Sequence, residues 1–544
     1  MSDRLLSSVL RPLAARTLAA VRRLERVRSE RVLAVALVAL LAAALVPMVA
    51  ISAYDHSYAD DWHYSVNVHL ALAAGGGAAS ALSAAVAEVI DAFFTWQGTY
   101  SAIFLMALQP GVFSEELYGA GAVGIMATLI AATAYAASVL VRDVLGAGRA
   151  VWVSVTAGVL LLETQLMPSP VEGIWWYNSA IYYTFYHALL LVMMGLAVRM
   201  LRGGSRRGAY TPGGTAVRAV ALAALAAVVA GGNFVTALVA ALALAGAWLC
   251  AALGPQGATR RHLLIVPALV AFALGFTASV AAPGNAARQA TQFAGDGLGV
   301  LSTLLRSGFA AGEYLVLWTN GLLVLMLALV LPPLVRAAAR SSLSFRLPGA
   351  GIVAAFALFA ASFTPTFFSM GTVGPGRVQN IRYDLFVTLV VICATWVGGW
   401  WVRRREAAAA PPGAHTAPAA APSSDVSHAC APAPRCALTV ALLVVLAFGV
   451  GALALDERHA DDLVAVSAAR SLASGEAAAY DAQIRDRIAL IEESDAAEVE
   501  VPFITTAPKV LFMGDIRDNM ANYINFRLAQ WYGKDSIIGY HAAL

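Results

Sequence analysis

Apolar residues in this chain come in runs of about twenty, separated by short polar or arginine-bearing tracts, and not in alternating or briefly amphipathic stretches. At roughly 1.5 Å per helical residue, such a run matches a hydrocarbon layer of about 30 Å. The runs predict spans at 32–53, 117–141, 151–167, 179–201, 216–230, 233–253, 263–282, 314–335, 348–368, 384–402 and 437–455. The fold class is therefore a polytopic α-helical membrane protein of about eleven transmembrane helices. Stretch 93–108 reads differently: Phe93-Phe94-Thr95-Trp96-Gln97-Gly98-Thr99-Tyr100 is polar and aromatic, and 103–108 is apolar but short, which predicts an interfacial or re-entrant segment. Residues 407–434, rich in Ala, Pro and Ser, predict a disordered linker. Beyond 455 the pattern becomes that of a small α/β module, 456–544: helix over 460–494 with Ser474-Gly475 as a candidate break, short strands at 499–504 and 510–512, and a helix at 518–532.

Charge adds sidedness. The chain of 544 residues is 60% hydrophobic and 13% charged, and its net charge of +3 says little as a total. Its arginines cluster between apolar runs, and its only two lysines, Lys509 and Lys534, lie near the C-terminus. Placing the N-terminus inside and alternating sides puts Arg142, Arg149, Arg199, Arg202, Arg206, Arg207, Arg260, Arg261, Arg336, Arg340 and Arg403 to Arg405 in the cytoplasm. The arginine-rich leader 1–31 is then cytoplasmic, and the first apolar run, longer than a signal-peptide core and lacking a convincing cleavage site, is a retained span. The linker 407–434 is cytoplasmic too, whereas 52–116, 168–178, 283–313, 369–383 and the module 456–544 are extracytoplasmic. The charge reports topology and partnership with membrane lipids, not nucleic-acid binding. Cys250 and Cys393 sit inside apolar runs, and Cys430 and Cys436 flank a Pro/Ala tract without the partners a zinc site needs, so all four read as structural.

The candidate chemistry lies on the outer side. Asp60-Asp61, just past the first span, is an adjacent carboxylate pair in the acidic loop 52–116; it suits a general base or a clamp for a divalent ion such as Mg or Mn, or else a helix cap in which Asp61 precedes Trp62. The same loop offers His63, Asp91 and Trp96 for substrate, with Glu88, Glu115 and Glu116 nearby. Glu172, Trp175, Trp176, Tyr177 and Asn178 place a carboxylate and an amide among rings able to stack on a sugar, although such rings also anchor helices at an interface. Asn233, beside Gly231-Gly232, reads as a tight turn. Asn285 with Arg288, and Arg377 with Arg382, put arginines in outer loops against the local charge rule, and arginine forks suit phosphate.

Together, Asp60-Asp61, Ala282-Pro283-Gly284-Asn285 with Arg288, and a tail reading Asn525-Phe526-Arg527-Leu528-Ala529, Tyr532-Gly533 and Ser536-Ile537 resemble the C-superfold glycosyltransferases that use polyprenyl-phosphate sugars. The resemblance is closest to a bacterial family of glucosyltransferase-like multi-spanning proteins. It spans nearly the whole chain in short motifs, and it differs in lacking a duplicated acidic motif in a second outer loop. The resemblance implies a GT-C-like fold in the bacterial inner membrane and inverting sugar transfer from a polyprenyl-phosphate donor to an envelope glycan, lipid or protein. It further implies Asp60 or Asp61 as base and Arg288, Arg377 or Arg382 as phosphate holders. A flippase for a lipid-linked saccharide, which would show internal repeats and polar residues deep in several spans, and a non-catalytic envelope-assembly scaffold are the competing expectations.

Overall fold

Hydrocarbon offers no hydrogen-bond partners, so the apolar runs close their backbones as helices. In the computed structural model, which describes residues 29–253, 259–409 and 435–541, eleven helices are long and apolar enough to cross a membrane. In chain order the elements are α1 (Ser29–Tyr54), α2 (Asp60–Ala73), α3 (Ala78–Thr95), α4 (Tyr100–Ala107), α5 (Tyr118–Ala137) and α6 (Arg149–Gln165). After them come α7 (Tyr177–Tyr182), α8 (Thr184–Arg202), a hairpin of β1 (Gly204–Ser205) and β2 (Gly208–Ala209), α9 (Pro212–Ala230), α10 (Phe234–Ala252), α11 (Arg260–Leu263) and α12 (Val266–Val280). The chain continues through α13 (Pro283–Gln292), α14 (Val300–Trp318), α15 (Gly321–Arg340), α16 (Pro348–Ala361), α17 (Thr364–Met370), α18 (Gly376–Ala409) and α19 (Arg435–Leu455). The tail holds α20 (Val464–Ser474), α21 (Glu476–Glu493), β3 (Glu498–Pro502), α22 (Tyr523–Tyr532) and β4 (Ser536–Tyr540), with β3 and β4 parallel.

The number of crossing helices matches the sequence reading, but their identity differs. Helix α3, expected within the outer loop, is one of the eleven, with Leu82, Val86, Ile90 and Phe94 exposed along one face. The expected span 151–167 is the 17-residue α6, which is not among them and packs against α5, α15 and α18. Expected loop 283–313 is largely helical, in α13 and α14, and the expected span 314–335 is broken at Thr319–Asn320, where Asn320 caps α15 by accepting from the Leu323 N–H. Arg377 and Arg382 lie on helix α18, not on a loop. In the tail, Val510 and Leu511 lie in a turn and not in a strand; the partner of β3 is Ser536–Tyr540, and the last helix starts at Tyr523. Gly475, with φ of +80°, ends α20 and separates it from α21, as the Ser-Gly pair suggested. Of the predicted leader and linker, residues 1–28 and 410–434 lie outside the described residues.

Arginine tracts gather at the helix ends opposite Asp60: Arg199 pairs with Asp143 at 2.7 Å, Arg261 donates to the Arg202 carbonyl, and Arg336 meets Glu30. At the Asp60 end the tail is docked. Val464, Ala468, Tyr480, Val510 and Leu511 share one apolar core with Met48, Ile51, Met126 and Trp175. Trp62 of α2 enters a second core with Ile491, Val499, Val501, Leu528 and Ile537, and Trp531 stacks on His69 of α2 at 3.9 Å between ring centroids. The joint between α3 and α4 rests directly on the turn between α12 and α13. A side chain at Gly98 would meet the Ser279 carbonyl, and one at Gly284 the Trp96 backbone, so both positions demand glycine by close approach.

Candidate functional site

Ala59, immediately before α2, has φ of 51° and ψ of −102°, a backbone conformation that an L-residue rarely adopts. It turns the chain sharply, so α2 begins with two carboxylates in its first turn, where the helix N-terminus favours negative charge. The two side chains then separate. Asp61 points into the protein: its Oδ2 accepts from the Tyr118 hydroxyl at 2.7 Å and the Tyr58 N–H at 3.0 Å, and its Oδ1 accepts from the Asn178 N–H at 2.9 Å. Complete burial pushes its pKa up to about 7 against those three donors, with the charge of Asp60 adding to the rise. Asp60 is half-buried and lines a cavity of about 1240 Å³.

With Asp60, that cavity collects His63, Trp96, Trp176, Asn178, Asn285, Arg288 and Arg377 of the sequence candidates. His63, one helical turn beyond Asp60, is held neutral: burial, with the nearby Arg527 charge, brings its imidazole down to about 4, and its Nδ1 lacks a hydrogen-bond partner among the described residues. Trp176 donates its indole N–H to the Tyr58 carbonyl, and Arg377 lies over its ring at 5.5 Å. Asn178 ties the two halves together, its backbone on Asp61 and its side-chain amide donating to the Asp60 carbonyl. Asn285 is a clamp as well as a lining residue. Its Oδ1 accepts from the Gly98 N–H at 3.1 Å, and its amide donates to the Ser279 and Val280 carbonyls.

The two cavity arginines differ in charge balance. Arg377 donates to Glu172 at 2.9 Å, so its charge is largely compensated. Arg288 donates to Gln97 Oε1 at 2.7 Å and lies 5.0 Å from the Trp96 ring, yet no carboxylate pairs with it among the described residues and its buried Nε has no acceptor there. It is a guanidinium with donors to spare, facing a hollow.

Other candidates lie elsewhere. Arg382 is completely buried and spends its fork on the Ser362 and Val373 carbonyls, Gln379 Oε1 and Thr366 Oγ1, so it ties α16, α17 and α18 together and does not reach the cavity. Trp175 is buried on the far side with its N–H on Ser52, Tyr177 packs its hydroxyl toward the Leu105 carbonyl, and Glu172 sits behind Arg377. Asp91 is exposed on α3 and accepts from Thr95. In the pair Asp60-Asp61 the two side chains diverge: Asp60 lines the cavity, while both Asp61 oxygens accept from protein donors. Among the described residues, no group of three or more His, Cys, Asp or Glu converges as metal ligands.

Tyr64 and Gln97, and Tyr182 and Tyr183 just beyond Asn178, also line the cavity, and Tyr523 joins them as a wall that no motif announced. Asn233, which reads as a turn, caps α10 by accepting from the Thr236 N–H and also lines the cavity, its amide donating to the Tyr182 carbonyl. Tyr523 comes from the tail, and its hydroxyl donates to Asp60 Oδ1 at 2.6 Å. Away from this polar end, the same cavity runs between α10, α12 and α14 over Leu238, Leu242, Phe276, Val280, Val300 and Leu304. Leu242, Val280, Val300 and Leu304 are exposed, so the apolar arm opens sideways on the surface of the bundle.

No protein-family model, curated protein or solved structure matches this chain.

Proposed function

We propose that the protein is an inverting membrane glycosyltransferase, taking a sugar from a polyprenyl-phosphate donor and passing it to an envelope glycan, lipid or protein on the extracytoplasmic face of a bacterial inner membrane. One observation carries the reading: a single cavity joins a half-buried carboxylate, Asp60, and a carboxylate-free guanidinium, Arg288, to an apolar arm that opens laterally between spans. That chamber fits an amphiphile with one anionic group between its polar head and a long apolar chain. The prenyl chain lies along Leu238, Leu242, Phe276 and Val280, and the phosphate meets Arg288, with Arg377 beside it.

In the proposed step the acceptor hydroxyl attacks the anomeric carbon as the bond from that carbon to the phosphate oxygen breaks. Asp60 takes the hydroxyl proton, and the electron pair departs on the lipid phosphate, where the Arg288 guanidinium stabilises it. A phosphate leaves without protonation, so one carboxylate suffices where a glycoside hydrolase needs two. Asp61 serves as the anchor that fixes Asn178 and Tyr58 around Asp60.

The test is reconstitution with polyprenyl-phosphate sugars and envelope acceptors, comparing the wild type with Asp60→Asn. Transfer by the wild type that vanishes in the folded variant is the expected result; undiminished transfer by the variant removes Asp60 as the base. A flippase for the same lipid is the second reading, favoured by Glu163 and Asp384, two completely buried carboxylates on the adjoining helices α6 and α18. It predicts lipid translocation that persists when Asp60 is neutralised.

A further inference from the structure

We infer that the C-terminal tail completes the site, with Tyr523 as the positioning residue that aims Asp60. The inference rests on the glycosyltransferase reading and adds to it a residue 463 positions away in the chain. Tyr523 is the first residue of α22, whose start is fixed by Asn522 accepting from the Ile524 N–H. Helix α22 packs on α2, the helix that begins with Asp60. The two are locked by the Trp531–His69 stack and by Trp62 inside the tail's core, so donor and carboxylate ride on one rigid pair of helices.

The Tyr523 ring is held on both sides, with the Arg527 guanidinium 5.2 Å from its centroid and the His63 ring edge-on at 6.2 Å. Burial and the Asp60 charge raise the phenol above its ordinary acidity range, so it stays a donor at working pH and does not compete as a base. A hydroxyl on Oδ1 stops the carboxylate from rotating and leaves Oδ2 for the acceptor. In that geometry the acceptor proton passes to Oδ2, the acceptor oxygen bonds to the anomeric carbon, and the phosphate departs with its electron pair. Orientation of this kind acts on the chemical step and not on substrate affinity.

The experiment uses the full-length protein in proteoliposomes containing a polyprenyl-phosphate sugar and an envelope acceptor, with four chains: wild type, Asp60→Asn, Tyr523→Phe and His69→Ala. Phenylalanine keeps the ring between Arg527 and His63, so Tyr523→Phe folds and loses only the hydroxyl. The expected result is a kcat lower by roughly 10- to 100-fold with both KM values within about twofold of the wild type. His69→Ala, which removes the stack under Trp531 and loosens the contact between α2 and α22, lowers the melting temperature and kcat together and shows how a packing loss reads. Wild-type kcat in Tyr523→Phe, alongside an inactive Asp60→Asn, overturns the positioning role and leaves the glycosyltransferase reading standing. A change in Tyr523→Phe that tracks the melting temperature, as in His69→Ala, also overturns it, since that is a packing effect. A wild type that transfers no sugar removes the proposed reaction and this role together.

Discussion

The sharpest physical prediction concerns Asp61 and does not depend on any substrate. Asp61 is buried, and its pKa is pushed up to about 7 in the folded protein against 3.8 for the free side chain. Between those values the folded state holds a proton that the unfolded state has released, so unfolding becomes easier as the pH rises from about 4 to about 7 and then levels off. A tenfold change in proton affinity corresponds to about 1.4 kcal/mol, so a difference of roughly a thousandfold between the folded and unfolded chain gives about 4 kcal/mol of stability present in acid and lost by neutrality. Asp61→Asn resembles the protonated form and does not titrate. Neighbouring Asp55, whose pKa burial raises most and the Asp61 charge next, titrates in both proteins; its burial part cancels in the difference, and the part due to Asp61 adds to the wild type's loss in the same direction. Thermal unfolding of the two proteins in detergent should therefore show the variant gaining on the wild type by about 4 kcal/mol between about pH 4 and pH 8. Parallel curves across that window, or a wild type that gains on the variant as pH rises, would refute the argument that desolvation outweighs the donors from Tyr118, Tyr58 and Asn178.

Two further substitutions separate the arginines. Arg288→Gln, measured in the reconstituted transfer assay, should lower kcat by about 100-fold or more while the protein melts normally, because it removes the charge proposed to stabilise the departing phosphate. Unchanged turnover would place the phosphate elsewhere. Arg382→Leu should instead fail as a fold: it removes the guanidinium donors from the Ser362 and Val373 carbonyls, Gln379 Oε1 and Thr366 Oγ1 where α16, α17 and α18 meet, a loss of roughly 3 to 5 kcal/mol, visible as a lower melting temperature and poor monodispersity. A well-folded Arg382→Leu protein with selectively impaired transfer would return Arg382 to the phosphate site.

The apolar runs were enough to specify a polytopic helical bundle, because a run of about twenty apolar residues has few stable alternatives in hydrocarbon. They also placed most spans, from α1 through α19, and the polar segments whose residues meet in the cavity. Where the runs weakened, tertiary packing decided. Helix α6 is apolar enough to read as a span but is short and surrounded by other helices, whereas α3, interrupted by Glu88 and Asp91, presents an exposed apolar stripe. No local pattern distinguishes those two situations, since both are amphiphilic helices of similar length.

The same limit applies to the chemistry. Sequence alone yields Asp60-Asp61 as an inseparable pair; consecutive residues on a helix project about 100° apart, so one faced the cavity and the other the interior once Ala59 had set the direction of α2. Arg377 and Arg382 share a stretch of helix, but five residues rotate them onto different faces: one lines the cavity beside Glu172, the other staples three helices. The amino-acid sequence thus determined a membrane bundle with its arginine tracts at one end and carboxylates, aromatic rings and a few isolated arginines at the other. Only the tertiary structure turned Asp60 to the cavity and Asp61 to the interior, left Arg288 without a carboxylate partner among the described residues and brought Tyr523 from the tail onto Asp60. Those outcomes follow from helix rotation and from contacts between distant segments, which no stretch of the chain encodes by itself.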